Sequence, residues 1–130
     1  GKEKVKIWRR SFDIAPPAMK DDHPYKNHVS SNIPEGKMLS SESLKDTFDR
    51  VIPYFKKYVE KKIKENVMIS AHGNSFRSLC KYLFNIDDQE ISKLEIPTGN
   101  PLILKFDKNI KLLDAKYLDK ERSKDLIIFN

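Results

Sequence analysis

The 130-residue sequence contains a single cysteine, Cys80. One cysteine cannot form an internal disulfide, which excludes a disulfide-stabilised scaffold. Cys80 falls on the apolar face of a predicted helix, where we expect a buried thiol with a structural role. Long apolar runs are also missing: nothing approaches the roughly 18 residues of a membrane span, and the N-terminal GKEKVKIWRR lacks the apolar stretch of a signal peptide. We therefore expect a soluble, cytoplasmic protein.

The length of the chain limits the number of domains, and its net charge limits the kinds of ligand. A chain of 130 residues with 38% hydrophobic content suits one domain with a modest core, so we expect residues 1–130 to form a single domain. The net charge of +6, from 25 Lys and Arg against 19 Asp and Glu, favours anionic ligands. Phosphates, metabolites and nucleic acid all remain open. Nucleic acid is the weaker alternative, because no known motif and no concentrated basic face accompanies the charge.

Residues 1–40 are rich in proline and show no sustained helical or strand period after the short lead-in element KEKVKIW. We expect mostly loop in this region. A long loop of this kind is either a functional lid or a mobile terminus, and the residues leave both interpretations open. The chain does not begin with methionine, and its composition leaves the origin of that end open as well.

Residues 41–118 carry the regular patterns. From Ser41, the expected N-cap, apolar residues recur at steps of three and four and predict an amphipathic helix with a kink over Asp49–Pro53. The apolar run NVMIS then predicts a strand buried on both faces, as in a parallel sheet covered by helices. A second helix follows, with Asn74 or Ser75 as its cap. Its predicted core face is Phe76, Leu79, Cys80 and Leu83.

The remaining segments complete an α/β pattern. Asp87 and Glu90 resemble a capping box that begins a short helix. LILKF and IKLLDAKYL flank Asp107-Lys108-Asn109, which predicts a hairpin with a three-residue connection. The tail, residues 119–130, is compatible with a helix, and its apolar end LIIF either docks on the core or contacts another chain. Helix, strand, helix, helix and hairpin together predict an α/β fold.

His72 lies at the predicted junction between the NVMIS strand and the next helix. In open α/β sheets ligands bind at this edge, and the free N–H groups of a helix N-terminus favour anions. Gly73 allows a close approach between backbone and ligand, and Asn74 adds an amide that can donate or accept. The spacing leaves two interpretations open, an anion site and a histidine that only fills a turn.

Arg9 and Arg10, beside Trp8, are the only adjacent arginines in the chain. Two neighbouring guanidinium groups can hold a doubly charged small molecule, although two surface arginines are the simpler interpretation of the pair alone. His23 and His28 raise the question of a metal site shared with His72. No helical pair of histidines and no cysteine cluster supports it, so we expect no metal.

Five ordered blocks of sequence carry a family resemblance: VKIWRRSFDIAPPAM, HPY, ESLKDTFDRVIPYF, ISAHGNSFRSLCKYL and EIPTGNPLILKFDKN. Together they resemble the second half of the cofactor-dependent phosphoglycerate mutases, in the histidine phosphatase superfamily, from the first residues to about Leu118. The resemblance implies a partial three-layer α/β/α fold. It also implies interconversion of 3-phosphoglycerate and 2-phosphoglycerate through a phosphohistidine that 2,3-bisphosphoglycerate primes, without a metal.

The resemblance further implies roles for the candidate residues. His72 matches the second active-site histidine, which donates hydrogen bonds to the transferring phosphoryl group and does not carry it. Arg9 and Arg10 match the arginine pair that binds the phosphate and the carboxylate of the substrate. Gly73 and Asn74 match the turn that contacts the transferring group. Fixed donors and guanidinium groups suit phosphoryl transfer, which depends chiefly on positioning and charge stabilisation.

Parts of the family pattern are missing from this sequence. The family's nucleophilic histidine lies in an N-terminal Arg-His-Gly motif, whereas the only His-Gly pair here, His72-Gly73, follows Ala71. The acid/base glutamate and the first strand also belong to the missing part, so we expect the chain alone to be inactive. Loss of a strand beside NVMIS exposes a sheet edge, which favours a homo-oligomer or a complementary N-terminal half as partner. A gene fragment, a split subunit, a cut protein and a remnant that only binds phosphometabolites remain open.

Overall fold

The computed structural model describes residues 1–26, 33–34 and 39–123. The α-helices in these ranges are α1 (Lys2–Arg10), α2 (Leu44–Tyr54) and α3 (Gly73–Leu83), and α2 continues as a π-helical turn (Phe55–Val59) and a 3₁₀ segment (Glu60–Lys64). Two more 3₁₀ segments cover Glu90–Lys93 and Glu121–Ser123, and the strands are β1 (Leu102–Phe106) and β2 (Leu112–Tyr117). Helices with a two-stranded sheet confirm the α/β class and fit a partial fold.

The N-terminal region contains more regular structure than the sequence predicts. The lead-in element is the first part of α1, which runs to Arg10 and has no buried residue. Residues 11–20 form neither helix nor strand, in agreement with the predicted loop. The segments 27–32 and 35–38, and the end of the tail with LIIF at 124–130, lie outside the described residues.

Helix α2 begins at a capping box. The predicted cap, Ser41, is wrong: Ser43 is the N-cap, and its Oγ accepts from the Asp46 N–H at 3.1 Å. The Asp46 carboxylate in turn accepts from the Ser43 N–H at 2.9 Å, so two N–H groups at the helix start are satisfied reciprocally. Ser41 instead donates its hydroxyl to the carbonyl of Pro16. The apolar periodicity therefore predicted the helix correctly, but the sequence did not predict its N-cap.

Pro53 lies inside α2 and has no N–H to donate to the preceding turn. Regular α-helical geometry nevertheless continues to Tyr54, and the π-helical turn begins at Phe55. The irregularity therefore lies on the C-terminal side of the proline rather than over Asp49–Pro53, where the sequence placed it.

The core lies where α2 packs on α3. One cluster joins the start of α2 to α3 and the turns after it; its buried members are Leu44, Cys80, Ile86, Ile91 and Leu94. A second cluster joins the later part of α2 to α3, with Ile52, Phe55 and Leu79 as its buried members. On the predicted core face of α3, Phe76 and Leu83 are only half-buried. Cys80 is confirmed as a buried thiol, and burial raises its pKa to about 12.

The predicted strand NVMIS does not form. Residues 66–71 adopt neither helix nor strand, and the sheet of the described residues consists of β1 and β2. Val67, Met68 and Ile69 are 41%, 95% and 42% exposed, so burial on both faces is also wrong for this chain. A strand needs a hydrogen-bonded neighbour, and no described residue provides one for this segment. Three apolar side chains therefore face solvent.

The strands β1 and β2 form the predicted antiparallel hairpin, with Leu102 opposite Tyr117 at its open end. The connection covers five residues, 107–111, rather than the predicted three. Asp107 organises it, because one carboxylate oxygen accepts from the N–H groups of Asn109 and Lys111, both at 2.8 Å. The side chain of Asp107 thus takes the place of a tighter backbone turn.

The segment after α3 begins differently from the prediction. The capping box of Asp87 and Glu90 is wrong, because the 3₁₀ segment Glu90–Lys93 has Gln89 as its N-cap, without a side-chain cap bond. Asp87 takes part through its carbonyl, which accepts from the Ile91 N–H at 3.0 Å. Since Ile91 is 0% exposed, burial of its side chain fixes this turn.

Candidate functional site

His72 is the N-cap of α3, so the prediction of Asn74 or Ser75 as the cap is wrong. The His72 backbone is extended, its carbonyl accepts from the Phe76 N–H at 3.2 Å, and its Nδ1 accepts from the Asn74 N–H at 3.3 Å. The imidazole acts here as Ser or Asp side chains do at other helix starts. The structure therefore fixes His72 at the N-terminus of α3.

The capping bond determines which nitrogen of His72 carries a proton. Because Nδ1 accepts, the proton of the neutral imidazole lies on Nε2, which is free to donate. His72 is exposed, and its ring has no other hydrogen-bond partner among the described residues. A donor at this position suits an oxyanion, since the helix dipole and the unpaired N–H groups of the first turn also favour negative charge.

Gly73 and Asn74 border open space beside the imidazole. A Cβ placed on Gly73 would meet no atom within 4 Å, so the fold of the described residues does not itself require glycine there. Asn74 is exposed, and its Oδ1 accepts from Arg77 Nη1 at 3.5 Å. That bond leaves the NH₂ group of Asn74 available as a donor to a ligand.

Arg9 and Arg10 form the basic end of α1. Arg9 is exposed, and no described residue pairs with its guanidinium. Arg10 is half-buried and forms an ion pair with Glu95. The two arginines therefore differ: the side chain of Arg9 is open to an anion, whereas Arg10 shares its guanidinium with a carboxylate that a ligand must displace or tolerate.

Arg77 joins the two groups of candidate residues, and the sequence analysis did not select it. Its Nη1 donates to the Arg9 carbonyl at 3.1 Å, and its Nη2 donates to the carbonyls of Arg10 at 3.3 Å and Ile91 at 2.9 Å. The end of α1 therefore lies against the first turns of α3. The available signal was a cation three positions before Cys80, at the edge of the predicted core face, where a charged side chain needs polar partners.

The structure describes two of the three histidines, His23 and His72. Within the described ranges no group of three His, Cys, Asp or Glu side chains could hold a metal ion. His23 lies against Tyr25, with ring centroids 5.8 Å apart, and His28 is outside the described residues.

None of the described helices is long and apolar enough to cross a membrane.

An apolar groove of about 1210 Å³ lies beside the site. Residues 63–71 and all of β1 line it, and the π-helical turn and α3 contribute Phe55, Val59 and Leu79. Within the described residues β1 pairs with β2 alone, so the other edge of β1 has no ladder partner. The groove therefore combines exposed apolar side chains with the free edge of β1 and with a segment, residues 66–71, that belongs to no sheet.

A helix N-terminus with a histidine N–H donor lies next to the basic end of a second helix, and the chemistry of this arrangement suits small anions that carry phosphate or carboxylate groups. The comparison with known families agrees with this chemistry. Residues 14–116 match the histidine phosphatase superfamily (branch 1), and the chain belongs to this superfamily.

Individual relatives carry a more specific name. The chain is 44% identical over 134 residues to the "2,3-bisphosphoglycerate-dependent phosphoglycerate mutase" of Pelagibacter ubique (strain HTCC1062), covering 99% of this chain and 56% of the relative. It is 45% identical to the proteins of the same name from Treponema denticola and Maricaulis maris, of which it covers 52% and 54%. The chain thus spans about half the length of the curated relatives it matches. The resemblance to these mutases is confirmed.

Proposed function

We propose that this chain is the C-terminal half of a 2,3-bisphosphoglycerate-dependent phosphoglycerate mutase. In that enzyme it contributes the supporting histidine, His72, to the interconversion of 3-phosphoglycerate and 2-phosphoglycerate. The cap of α3 carries the proposal: Nδ1 of His72 is engaged by the Asn74 N–H, so Nε2 presents its proton to a ligand. The names of the relatives support the substrate class.

Each site residue has one task in this proposal. His72 Nε2–H donates to an oxygen of the transferring phosphoryl group, and the N-terminus of α3 stabilises its negative charge. Asn74 donates through its NH₂ group, and the absence of a side chain at Gly73 leaves room for a phosphoryl oxygen. Arg9 and Arg10 bind the phosphate and the carboxylate of the substrate. Positioning and charge stabilisation of this kind supply most of the catalysis of phosphoryl transfer.

The same donor set fits 2,3-bisphosphoglycerate. Guanidinium groups, an imidazole N–H and helix N–H groups are all donors to phosphate and carboxylate oxygens. Arg9, Arg10 and His72 would hold this molecule, which when bound supplies the phosphoryl group for the first turnover. The task of the present residues is to orient it and to balance its negative charge.

The isolated chain is inactive in this proposal, because covalent phosphoryl exchange needs an activated nucleophile. The sequence has three histidines, His23, His28 and His72, and none follows an arginine in an Arg-His-Gly motif. Only His72 precedes a glycine, and its Nδ1 is committed to the cap of α3. In this proposal the nucleophile therefore comes from outside these 130 residues.

The partner in this proposal is a complementary N-terminal half that inserts an extended strand into the apolar groove. Val67, Met68 and Ile69 line the groove and are more than 40% exposed, and β1, which also lines it, has a free edge. An added strand would pair with the free edge of β1 and cover the apolar side chains. A second copy of this chain would cover the groove as well, but the assembly would still lack a nucleophile.

A reconstitution experiment tests the proposed function. The chain is mixed with the part of the Pelagibacter ubique relative that it does not cover, and formation of 2-phosphoglycerate from 3-phosphoglycerate is followed. We expect no activity from either piece and activity from the mixture, lost in His72→Ala and kept in His23→Ala. The two pieces of the relative itself, cut at the corresponding position, form the positive control. Activity in that control but none with this chain would contradict the proposal and leave a phosphometabolite-binding remnant.

A further inference from the structure

Arg77 is a buried cation whose hydrogen-bond partners are all neutral. It is 7% exposed, and its acceptors are three main-chain carbonyls and the amide oxygen of Asn74. No carboxylate among the described residues forms an ion pair with it, and its Nε is buried without an acceptor. Burial, and then the nearby charge of Arg10, lower the pKa of Arg77.

Packing alone does not account for an arginine at this position. A buried guanidinium with an unpaired N–H costs stability, and well-packed apolar side chains often replace buried charges without loss. The planar fork of Arg77 does what no apolar side chain can: its two terminal nitrogens reach the consecutive carbonyls of Arg9 and Arg10. Those carbonyls form part of the negative end of α1, where a cation is favourable.

Helix α1 has few other attachments. None of its residues is buried, and the ion pair between Arg10 and Glu95 joins side chains that are 37% and 63% exposed, where such pairs contribute little. The next anchor along the chain is Phe12, which packs edge-on against Phe48 with ring centroids 6.0 Å apart. Arg77 is therefore the tie that orients the last turn of α1 relative to α3.

We propose that Arg77 is a positioning residue, which holds the carbonyls of Arg9 and Arg10 and the amide of Asn74 at once and so sets the spacing between the arginine pair and the His72 cap. The inference rests on the proposed function, since that function gives both groups a ligand to bind. It also deepens that function: a fixed spacing favours an anion with two charged groups that span the site, such as 3-phosphoglycerate, over an anion with one.

Calorimetry with two ligands tests this spacing. Arg77→Met removes the fork and the charge, Arg77→Lys keeps the charge alone, and Leu79→Ala, which opens a cavity in the same helix, controls for general destabilisation. We expect Arg77→Met to weaken binding of 3-phosphoglycerate by about tenfold or more, and binding of inorganic phosphate by less than about threefold. We expect Arg77→Lys to restore only part of the loss, because a point charge cannot reach both carbonyls. Equal weakening of both ligands, or the same ratio in Leu79→Ala, would overturn the inference.

A measurement without ligand separates this inference from the proposed function. The Ser11 N–H bonds to the Ile7 carbonyl at 2.9 Å, so hydrogen exchange at Ser11 reports on the end of α1. We expect Arg77→Met to speed exchange at Ser11 by about tenfold relative to amides within α2, and Leu79→Ala to leave that ratio unchanged. An unchanged ratio in Arg77→Met contradicts the positioning role whatever the ligands do. If the wild-type chain binds neither ligand while the ratio rises, the proposed anion site is wrong and the attachment of α1 stands.

Discussion

Replacing Met68 with aspartate separates the folding of the chain from its assembly. Met68 is 95% exposed, so Met68→Asp should change the free energy of unfolding of the isolated chain by less than about 0.5 kcal/mol. In the assembled enzyme we expect this side chain to be buried in the groove, where a methionine contributes about 1.5–3 kcal/mol. Each factor of ten in affinity corresponds to about 1.4 kcal/mol. The expected loss of affinity is therefore about ten- to a hundredfold, and burial of a carboxylate adds to it.

The assay for this prediction titrates each variant with the complementary piece and follows recovery of mutase activity, while thermal unfolding is measured on the isolated chain. Met68→Leu is the matched control, because it keeps an apolar side chain of similar volume. Recovery of activity by Met68→Asp at the wild-type concentration would place residues 66–71 outside the interface. A fall of several degrees in the melting temperature of the isolated variant would show that this segment already packs in the chain alone.

Three further predictions concern the folded chain. Ser43→Ala should lower the free energy of unfolding by about 1 kcal/mol in chemical denaturation, and an equal loss in Ser41→Ala would contradict the capping box. Hydrogen bonds from Ser43 hold the pKa of Asp46 below its usual value of 3.8, so the stability that the ionised carboxylate contributes is present above that pH and is lost as the pH falls through the lower folded-state value. Asp46→Asn should therefore reduce the loss of stability below about pH 4. An unchanged acid transition in this variant would contradict the role of the carboxylate. Burial raises the pKa of Cys80 from 9.0 to about 12, so alkylation at pH 8 should be at least about a thousandfold slower in the folded chain than in denaturant; comparable rates would contradict burial of the thiol.

The sequence predicts best where structure depends on neighbours along the chain. The apolar period of α2, the hairpin and the burial of Cys80 are all confirmed, because each follows from side chains a few residues apart. The errors at helix starts have a common cause. At both α2 and α3 several neighbouring residues could act as the N-cap. The N-cap is the residue whose side chain accepts from a backbone N–H of the first helical turn in the folded chain, as Ser43 and His72 do.

The strand and the site depend on contacts that are distant in sequence. Residues 66–70 have the composition of a buried strand, but a strand forms only beside a partner, and none lies among the described residues. Arg77 was missed for the same reason, since its partners Arg9 and Arg10 precede it by 68 and 67 residues. The roles of His72 and the arginine pair came from the family resemblance, because spacing alone left a turn-filling histidine equally acceptable.

The division of labour between the two halves can be measured by intact mass after incubation with 2,3-bisphosphoglycerate. The present chain and the complementary piece are incubated together and separately, and the mass of each is then determined under conditions that preserve phosphohistidine. We expect the mass of one phosphoryl group on the complementary piece in the mixture and none on this chain, because in the proposed function His72 donates a hydrogen bond and does not carry the phosphoryl group. A stable phosphoryl group on His72 of this chain would contradict its assignment as the supporting histidine.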